Sequence, residues 1–159
     1  MTVVIATIIC DRKKASAGIN VPSILAQDFQ QPMRFYLNVE YDDIEGVHTD
    51  YRTKILEPFE SAGWRFDVDW WSHTSTWWSS PKFDQDQARL HPIVIARNMA
   101  LDYARAVNAN GILFVDSDVI LPSNALSLLE SNGLPIVGGV VPGREDLAIS
   151  IGYLGKARI

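Results

Sequence analysis

The chain of 159 residues carries a formal net charge of −5, and 47% of its residues are hydrophobic and 21% charged. This length suits one domain with a sizeable core, and the composition excludes a disordered or fibrous protein. The negative charge argues against nucleic acid as the main partner, because phosphate backbones bind basic surfaces. The single Cys10 excludes an internal disulfide framework and is typical of a reducing compartment.

The apolar opening MTVVIATIIC is predicted to be a buried strand rather than a secretory signal. No basic residue precedes the apolar stretch, and the charges of DRKK follow it. Elsewhere no apolar run approaches the ~20 residues that span a bilayer. We therefore expect a cytoplasmic protein without a membrane span.

The first part of the sequence alternates strand and helix patterns. Residues 3–9 form an almost continuous apolar run, typical of a central parallel strand that is buried on both faces. A short helix is expected from Pro22, because proline suits the first helical turn. Residues 34–40 alternate apolar and polar side chains, which predicts a strand with one less buried face.

A further helix and strand follow. Residues 49–63 have a helical pattern that ends at Gly63, and Pro58 is expected to kink or interrupt it. Residues 64–70 alternate again and resemble an edge strand. Residues 71–91 show no clear period and predict a long loop, which is unusual unless it has a function.

The second part of the chain repeats the alternation. Pro92 is predicted to open a helix that the Asn-Gly pair at 110–111 closes. Residues 112–115 then predict a second doubly buried strand. A short helix over residues 122–133 and an apolar strand over residues 134–142 complete the pattern.

Strands that alternate with helices predict an α/β fold, with a mostly parallel, Rossmann-like sheet flanked by helices. In such sheets ligands bind beyond the carboxyl ends of the strands, where the strand order switches. Acidic residues follow three of the predicted strands and should collect at that edge: Asp11, Asp42, Asp43, Asp116 and Asp118.

Asp116 and Asp118 form the sharpest feature of the sequence, because an apolar strand runs directly into two carboxylates one residue apart. Like charges at that spacing repel each other unless a cation lies between them. Carboxylate oxygens suit Mg²⁺ or Mn²⁺, which also bind substrate phosphates. The alternative is that the two residues cap the next helix and form a turn, since Asp favours both positions.

The stretch IARNMALDYARAVNANGILFVDSDVILPSNALSLL resembles the central signature of glycosyltransferases of the GT-A fold, particularly the family 2 type. In that signature an Arg-Asn pair on a helix precedes an apolar strand that ends in Asp-x-Asp. The segments VVIATIICDR, SILAQDF and MRFYLNVEYDD are similar to the first strand, helix and second strand of the same family. The resemblance covers about residues 3–46 and 93–142.

The resemblance implies a metal-dependent enzyme that binds a nucleoside-diphosphate sugar and transfers the sugar to an unknown acceptor. It implies one GT-A-like domain over 1–159, with a nucleotide-binding part over 1–122 and a short C-terminal part over 123–159. Asp118 is then the direct ligand of Mn²⁺ or Mg²⁺, and Asp116 lies nearer the ribose and the waters of the metal.

The resemblance also implies nucleotide contacts outside the acidic pair. Asp42 or Asp43 would meet the base, Arg97 would lie near the base and phosphates, and Thr7 would line the base pocket. Each acidic or basic position has a plainer interpretation: a surface ion pair for Arg97 and a solvated turn for Asp42 and Asp43. Asp11 is expected to cap its strand, with nucleotide contact as the alternative.

The catalytic base is not identified by the sequence. Family members are longer, and their later part supplies the acceptor site and the base of inverting enzymes. The acidic residues available after the acidic pair are Glu130 and the weak candidates Glu145 and Asp146. A minimal enzyme, a truncated gene product and a donor-binding half that needs a partner all fit this pattern.

Two rival functions and one aromatic cluster complete the predictions. A non-catalytic module that binds a nucleotide or nucleotide sugar is the main rival. ILFVDSDVIL also resembles the nucleophile strand of haloacid-dehalogenase-type phosphatases, in which the first Asp attacks phosphorus. Of the four tryptophans around His73, Trp70 is expected to end a core strand, and Trp71, Trp77 and Trp78 are expected to pack the long loop onto the sheet. A sugar-stacking platform is the alternative.

Overall fold

The computed structural model describes residues 2–9, 17–30, 32–40, 51–71 and 85–133, with the backbone alone at residues 40, 71 and 85–92. The first strands and helix are β1 (Val3–Ile9), α1 (Val21–Leu25) and β2 (Met33–Glu40). A π-helical segment, Arg52–Leu56, precedes α2 (Glu57–Ser61) and β3 (Arg65–Trp71). The remaining elements are α3 (Gln85–Ala106), β4 (Gly111–Phe114) and α4 (Ala125–Ser131).

The four strands form one parallel sheet in the order β3-β2-β1-β4. β1 lies inside the sheet, so Val3 is level with both Met33 of β2 and Gly111 of β4. The chain therefore adds strands on one side of β1 and then returns to its other side. This confirms the predicted α/β fold with a parallel sheet flanked by helices.

Apolar side chains cover both faces of the central strands. On one face Ile5, Phe35 and Leu37 pack with Ile24 of α1 and Phe59 of α2. The ring of Phe59 stacks on that of Phe35 at a centroid distance of 4.0 Å. This face holds the larger core and explains why α1 and α2 are stable although they are short.

The opposite face is covered by α3, whose small side chains permit close approach. Ala100 and Ala104 lie against Val4 and Ala6 of β1 and Tyr36 of β2. The prediction that one face of the second strand would be less buried is wrong. Tyr36 is 1% exposed, because α3 covers the face that the alternating pattern assigned to solvent.

β3 is confirmed as an edge strand of the described sheet. Phe66, Val68 and Trp70 pack against the core, whereas its charged side chains are exposed. Two of these charges accept hydrogen bonds from tyrosines on the α3 face: Tyr36 donates to Asp69, and Tyr103 donates to Asp67. The two tyrosine rings stack at 4.8 Å, so the edge strand is tied to the helix by polar contacts.

Helix α3 differs from its prediction at both ends. It begins at Gln85 rather than Pro92, because the strong helix formers of QDQARL extend it backwards past the proline. At its end Asn108 has a φ of 51°, and the backbone N–H groups of Asn108 and Ala109 donate to Arg105 and Ala104. This is a Schellman ending in which asparagine takes the left-handed position.

The residues predicted to close α3 start the next strand instead. Gly111 lies in β4 opposite Val3. Asn110 exchanges hydrogen bonds with Thr2, through its backbone N–H at 2.8 Å and its side-chain oxygen at 2.9 Å. The Asn-Gly pair therefore fixes the register of β4 against β1.

The predicted interruption at Pro58 is not seen. The helix continues through Pro58, and its hydrogen-bond pattern changes from π-helical at Arg52–Leu56 to α-helical at Glu57–Ser61. Gly63, with a φ of +73°, follows the end of this helix as predicted. Within the described ranges no helix is both long and apolar enough to cross a membrane.

Two leucines on α4 test the assignment of the core. Leu126 is fully buried, whereas Leu128 is 53% exposed. We expect Leu126→Ala to lower the free energy of unfolding by about 2–5 kcal/mol, because it leaves a cavity. The matched Leu128→Ala should change it by about 0.5 kcal/mol or less. Urea denaturation measures both, and equal losses would contradict this packing.

The tyrosine contacts of β3 predict a pH effect. Burial and the hydrogen bond to Asp69 raise the pKa of the Tyr36 hydroxyl above its ordinary value of 10.0. A raised folded-state pKa stabilises the fold at lower pH, and this stabilisation is lost as the pH rises above about 10. The wild type should therefore exceed Tyr36→Phe in unfolding free energy by more at about pH 8 than at about pH 11. A constant difference would contradict the prediction.

Candidate functional site

The strand order creates a crevice between the carboxyl ends of β1 and β4. β2 and β3 lie on one side of β1 and β4 on the other, so the connections diverge at this point. Ligands of open α/β sheets bind in such a crevice. Thr7 lies near the carboxyl end of β1, and Asp116 and Asp118 lie just after the carboxyl end of β4. All three residues are therefore at the same edge of the sheet.

The acidic loop continues directly from β4. The backbone N–H of Val115 donates to the carbonyl of Ala6 at 2.9 Å, which extends the pairing with β1 past the strand. The next side chains then alternate, so that Ser117 is buried while Asp116 and Asp118 are exposed. The carboxylates are therefore presented to solvent at the switch point.

The helix-cap alternative for these carboxylates is wrong. The following helix, α4, begins only at Ala125, and Asn124 holds its N-cap position. The other part of that alternative, a turn at these residues, is confirmed: the backbone N–H of Val119 donates to the carbonyl of Asp116 at 3.0 Å. The backbone of Asp116 thus closes a turn while its carboxylate remains available to other groups.

Arg97 of α3 reaches the same loop. One terminal nitrogen of its guanidinium lies 3.8 Å from a carboxylate oxygen of Asp116. The group also lies over the Phe114 ring, 5.5 Å from its centroid, a favourable cation–π position. The structure therefore places two predicted site residues, Arg97 and Asp116, next to each other. Arg97 does form an ion pair, as its plainer interpretation predicted, but its partner is Asp116 of the candidate site.

Asn20 is a site residue that the sequence did not indicate. Its side-chain nitrogen donates to the hydroxyl of Thr7 at 3.1 Å and to the carbonyl of Asp116 at 3.4 Å. Asn20 and Thr7 are both 1% exposed. A buried amide thus bridges the end of β1 and the acidic loop. Asn20 holds the N-cap position of α1, but its side chain makes no capping hydrogen bond.

Three other residues, Ser23 in α1 and Gln27 and Asp28 just after it, form hydrogen bonds to the segment that follows the acidic loop. Ser23 accepts from the backbone N–H of Leu121 at 3.1 Å, and the N–H of Asp28 donates to the carbonyl of Ser123 at 2.9 Å. The Gln27 amide donates to the carbonyl of Pro122 at 2.8 Å and accepts from the N–H of Leu126 at 3.1 Å. We call Asn20, Ser23, Gln27 and Asp28 the α1 clamp.

Several predicted residues lie outside the described part of the chain, and their roles stay predictions. They are the nucleotide contacts Asp11, Asp42 and Asp43, the catalytic candidates Glu145 and Asp146, and the aromatic-loop residues His73, Trp77 and Trp78. The ring of Trp70 lies 6.0 Å from that of Tyr51 in the core, in agreement with its predicted packing role.

The acidic pair fits a hard divalent cation. Within the described ranges no group of three or more His, Cys, Asp or Glu side chains is placed to enclose a metal. Mg²⁺ and comparable ions do not need such an enclosure, because one or two carboxylates hold them together with water and substrate phosphates. Two exposed carboxylates that follow one strand suit this mode of binding.

Comparison with known proteins supports the fold. No protein-family profile and no curated protein sequence matches the chain. Among solved structures, it is similar to the glycosyltransferase TarS of S. aureus: residues 1–349 of TarS match with a TM-score of 0.56 and 15% identity over 92% of this chain. The same TarS region in complex with UDP-GlcNAc also matches, with a TM-score of 0.56, 15% identity and 92% coverage.

The similarity covers part of TarS. The chain spans 38% of TarS 1–349 and 37% of that region in its UDP-GlcNAc complex. A longer TarS chain also matches, with a TM-score of 0.56 and 15% identity over 92% of this chain, and the chain spans 23% of its length. This likeness establishes the fold, which is that of the TarS GT-A domain.

Gln27 tests the α1 clamp. Its amide satisfies three backbone groups, including the carbonyl of Ser23 at 2.9 Å. Gln27→Leu leaves them without partners, and we expect a loss of about 2–4 kcal/mol in the free energy of unfolding. Gln30→Leu is the matched control, because Gln30 is exposed and makes one long bond of 3.4 Å to Asp28. It should change stability by about 0.5 kcal/mol or less, and similar losses for both variants would refute the clamp.

Proposed function

We propose that this protein binds a nucleoside-diphosphate sugar through Mn²⁺ or Mg²⁺ and transfers the sugar to an acceptor. One observation carries the proposal. At the strand-order switch of a GT-A-like sheet, Asp116 lies at ion-pair distance from the Arg97 guanidinium, and a second exposed carboxylate, Asp118, follows two residues later. The TarS domain that has this fold forms complexes with UDP and UDP-GlcNAc, which favours a UDP-linked donor.

Charge explains why a cation belongs in this site. Asp116 and Asp118 would repel a diphosphate, and the net charge of the chain is also negative. A bound divalent cation would neutralise the two carboxylates, and it would stabilise the negative charge of a departing diphosphate. Asp118 and Asp116 are the proposed ligands, and Arg97 supplies a second positive group close to them.

The neighbouring residues have supporting roles in this proposal. Arg97 binds the donor by its phosphates, because a guanidinium offers several donors in a fork that matches phosphate oxygens. Asn20 holds the acidic loop and Thr7 at a fixed separation, since it bonds both. Thr7 supports the floor of the nucleotide site. Asp11, Asp42 and Asp43 remain the proposed contacts for the rest of the nucleotide.

A donor-binding module without transfer is the second candidate. The observation that favours it is the extent of the match, since the chain spans less than two fifths of TarS 1–349. Donor hydrolysis or transfer separates the two functions, because a module gives binding without turnover. If turnover occurs, Glu145→Gln and Asp146→Asn test the two candidate bases: loss of turnover with unchanged donor binding in one variant identifies the base.

Metal-dependent donor binding is the first prediction of this function. UDP-GlcNAc with Mn²⁺ should raise the melting temperature, whereas neither compound alone should do so to the same extent. A ligand at a hundred times its Kd stabilises the fold by about 2.7 kcal/mol. Asp118→Asn should abolish the shift. Asp102→Asn is the control, because Asp102 is an exposed carboxylate on α3 paired with Arg105.

Other outcomes redirect the assignment. If a GDP- or dTDP-linked sugar raises the melting temperature and UDP-GlcNAc does not, the proposed nucleotide is wrong but the proposed site stands. An equal absence of shift for all three nucleotide classes, with and without metal, would rule out donor binding. Hydrolysis of an aryl phosphate that Asp116→Asn abolishes would support the phosphatase alternative instead.

A further inference from the structure

The side chain of Arg97 is held loosely beside Asp116. The separation of 3.8 Å between its terminal nitrogen and the carboxylate oxygen is an ion-pair distance but too long for a hydrogen bond. Its Nε is buried and has no hydrogen-bond partner in the described part of the chain. The other contact of the guanidinium is the ring of Phe114. Arg97 therefore retains donors that its surroundings do not use.

This arrangement differs from an ordinary ion pair on the same helix. Arg105 lies 2.7 Å from Asp102, its neighbour three positions earlier, and both side chains are well exposed. Arg97 instead reaches from α3 across to the loop after β4, and its side chain is 35% exposed. Buried polar atoms of folded proteins are almost always satisfied, so an unpaired Nε beside a carboxylate points to a further anionic partner.

We propose that Arg97 is a built-in counter-cation of Asp116 that keeps the metal affinity of the acidic pair low until a diphosphate binds. Without nucleotide, the guanidinium neutralises part of the Asp116 charge and repels a divalent cation at the same carboxylate. A diphosphate would supply oxygens that accept hydrogen bonds from the guanidinium and that coordinate the metal. Arg97 then turns toward the phosphates, and Asp116 is released to the cation. This inference rests on the proposed function.

The consequence is coupled binding. If nucleotide raises the affinity of the protein for the metal by some factor, the metal must raise its affinity for the nucleotide by the same factor. Metal alone should therefore bind weakly, nucleotide alone should bind weakly, and the two together should bind much better. A site built only from Asp116 and Asp118 would couple the two ligands less strongly, because only coordination of the metal by the phosphates would link them. Arg97 is thus a positioning residue for the metal as well as a phosphate contact.

Manganese binding to the whole chain tests the proposal without any need for turnover. The Kd of Mn²⁺ is measured from the EPR signal of the free ion, with and without UDP. Arg97→Gln should tighten the binding of Mn²⁺ alone by roughly three- to tenfold, because a positive charge near the metal is removed. The gain in Mn²⁺ affinity that UDP produces should shrink by at least that factor.

Three further variants control the measurement. Arg97→Lys keeps the charge, so its Kd for Mn²⁺ alone should stay within about twofold of wild type. Arg105→Gln removes the same charge from the other end of α3 and should also stay within about twofold. Arg97→Met keeps an apolar stem over Phe114 and replaces the glutamine variant should the latter fail to fold. Uridine in place of UDP should give no coupling, because it has no phosphates.

The possible failures are distinguishable. If wild type binds Mn²⁺ with UDP and neutral variants at position 97 bind Mn²⁺ alone no better than wild type, the counter-cation proposal is wrong and donor binding stands. If Arg105→Gln tightens Mn²⁺ binding as much as Arg97→Gln, the effect is one of net charge and the proposal is also wrong. If wild type binds no Mn²⁺ even with UDP, the proposed function fails, and this inference fails with it.

Discussion

Pairing of β1 with strands on both of its sides is the interaction on which the rest of the structure depends. β2 and β4 are distant in sequence, yet each aligns with β1 residue by residue from Val3 onward. This double pairing buries the backbone of β1 and leaves its carboxyl end beside that of β4. The crevice that results is a property of the strand order, so its position does not depend on any side chain. Asp116 and Asp118 lie there because they follow β4 without an intervening turn.

The sheet fixes the position of the crevice, and the α1 clamp fixes the shape of its acidic side. Val119 and Leu121 pack this segment against the core, but mutual repulsion of the two exposed carboxylates favours other conformations. Asn20, Ser23 and Gln27 compensate through hydrogen bonds to backbone atoms on both sides of the loop. Arg97 adds a compensating charge from the opposite face of the sheet. Backbone hydrogen bonds and the packing of Val119 therefore both help to hold the loop.

Much of the fold and half of the site could be predicted from the sequence, for reasons that differ between residues. β1 is predictable because a strand buried on both faces must be apolar throughout, and Asp116 because it directly follows another such strand. The role of Asn20 could not be predicted, because its partners are distant in sequence and nothing near it implies a contact with them. Tyr36 was assigned a less buried face because a strand pattern carries no information about which helix covers it. The start of α3 was misplaced because Pro92 is a strong local signal that the flanking helix formers overrode.

The central claim is that the acidic pair after β4 binds a cation that in turn binds the diphosphate of a nucleotide. X-ray diffraction from crystals grown with Mn²⁺ and UDP tests it most directly, because manganese scatters anomalously and can be located without assumptions about the site. The account predicts one anomalous peak within about 2.0–2.6 Å of a carboxylate oxygen of Asp118, with a phosphate oxygen in its coordination sphere. A UDP molecule bound elsewhere on the sheet, or bound in the crevice with no anomalous peak at Asp116 or Asp118, would contradict it.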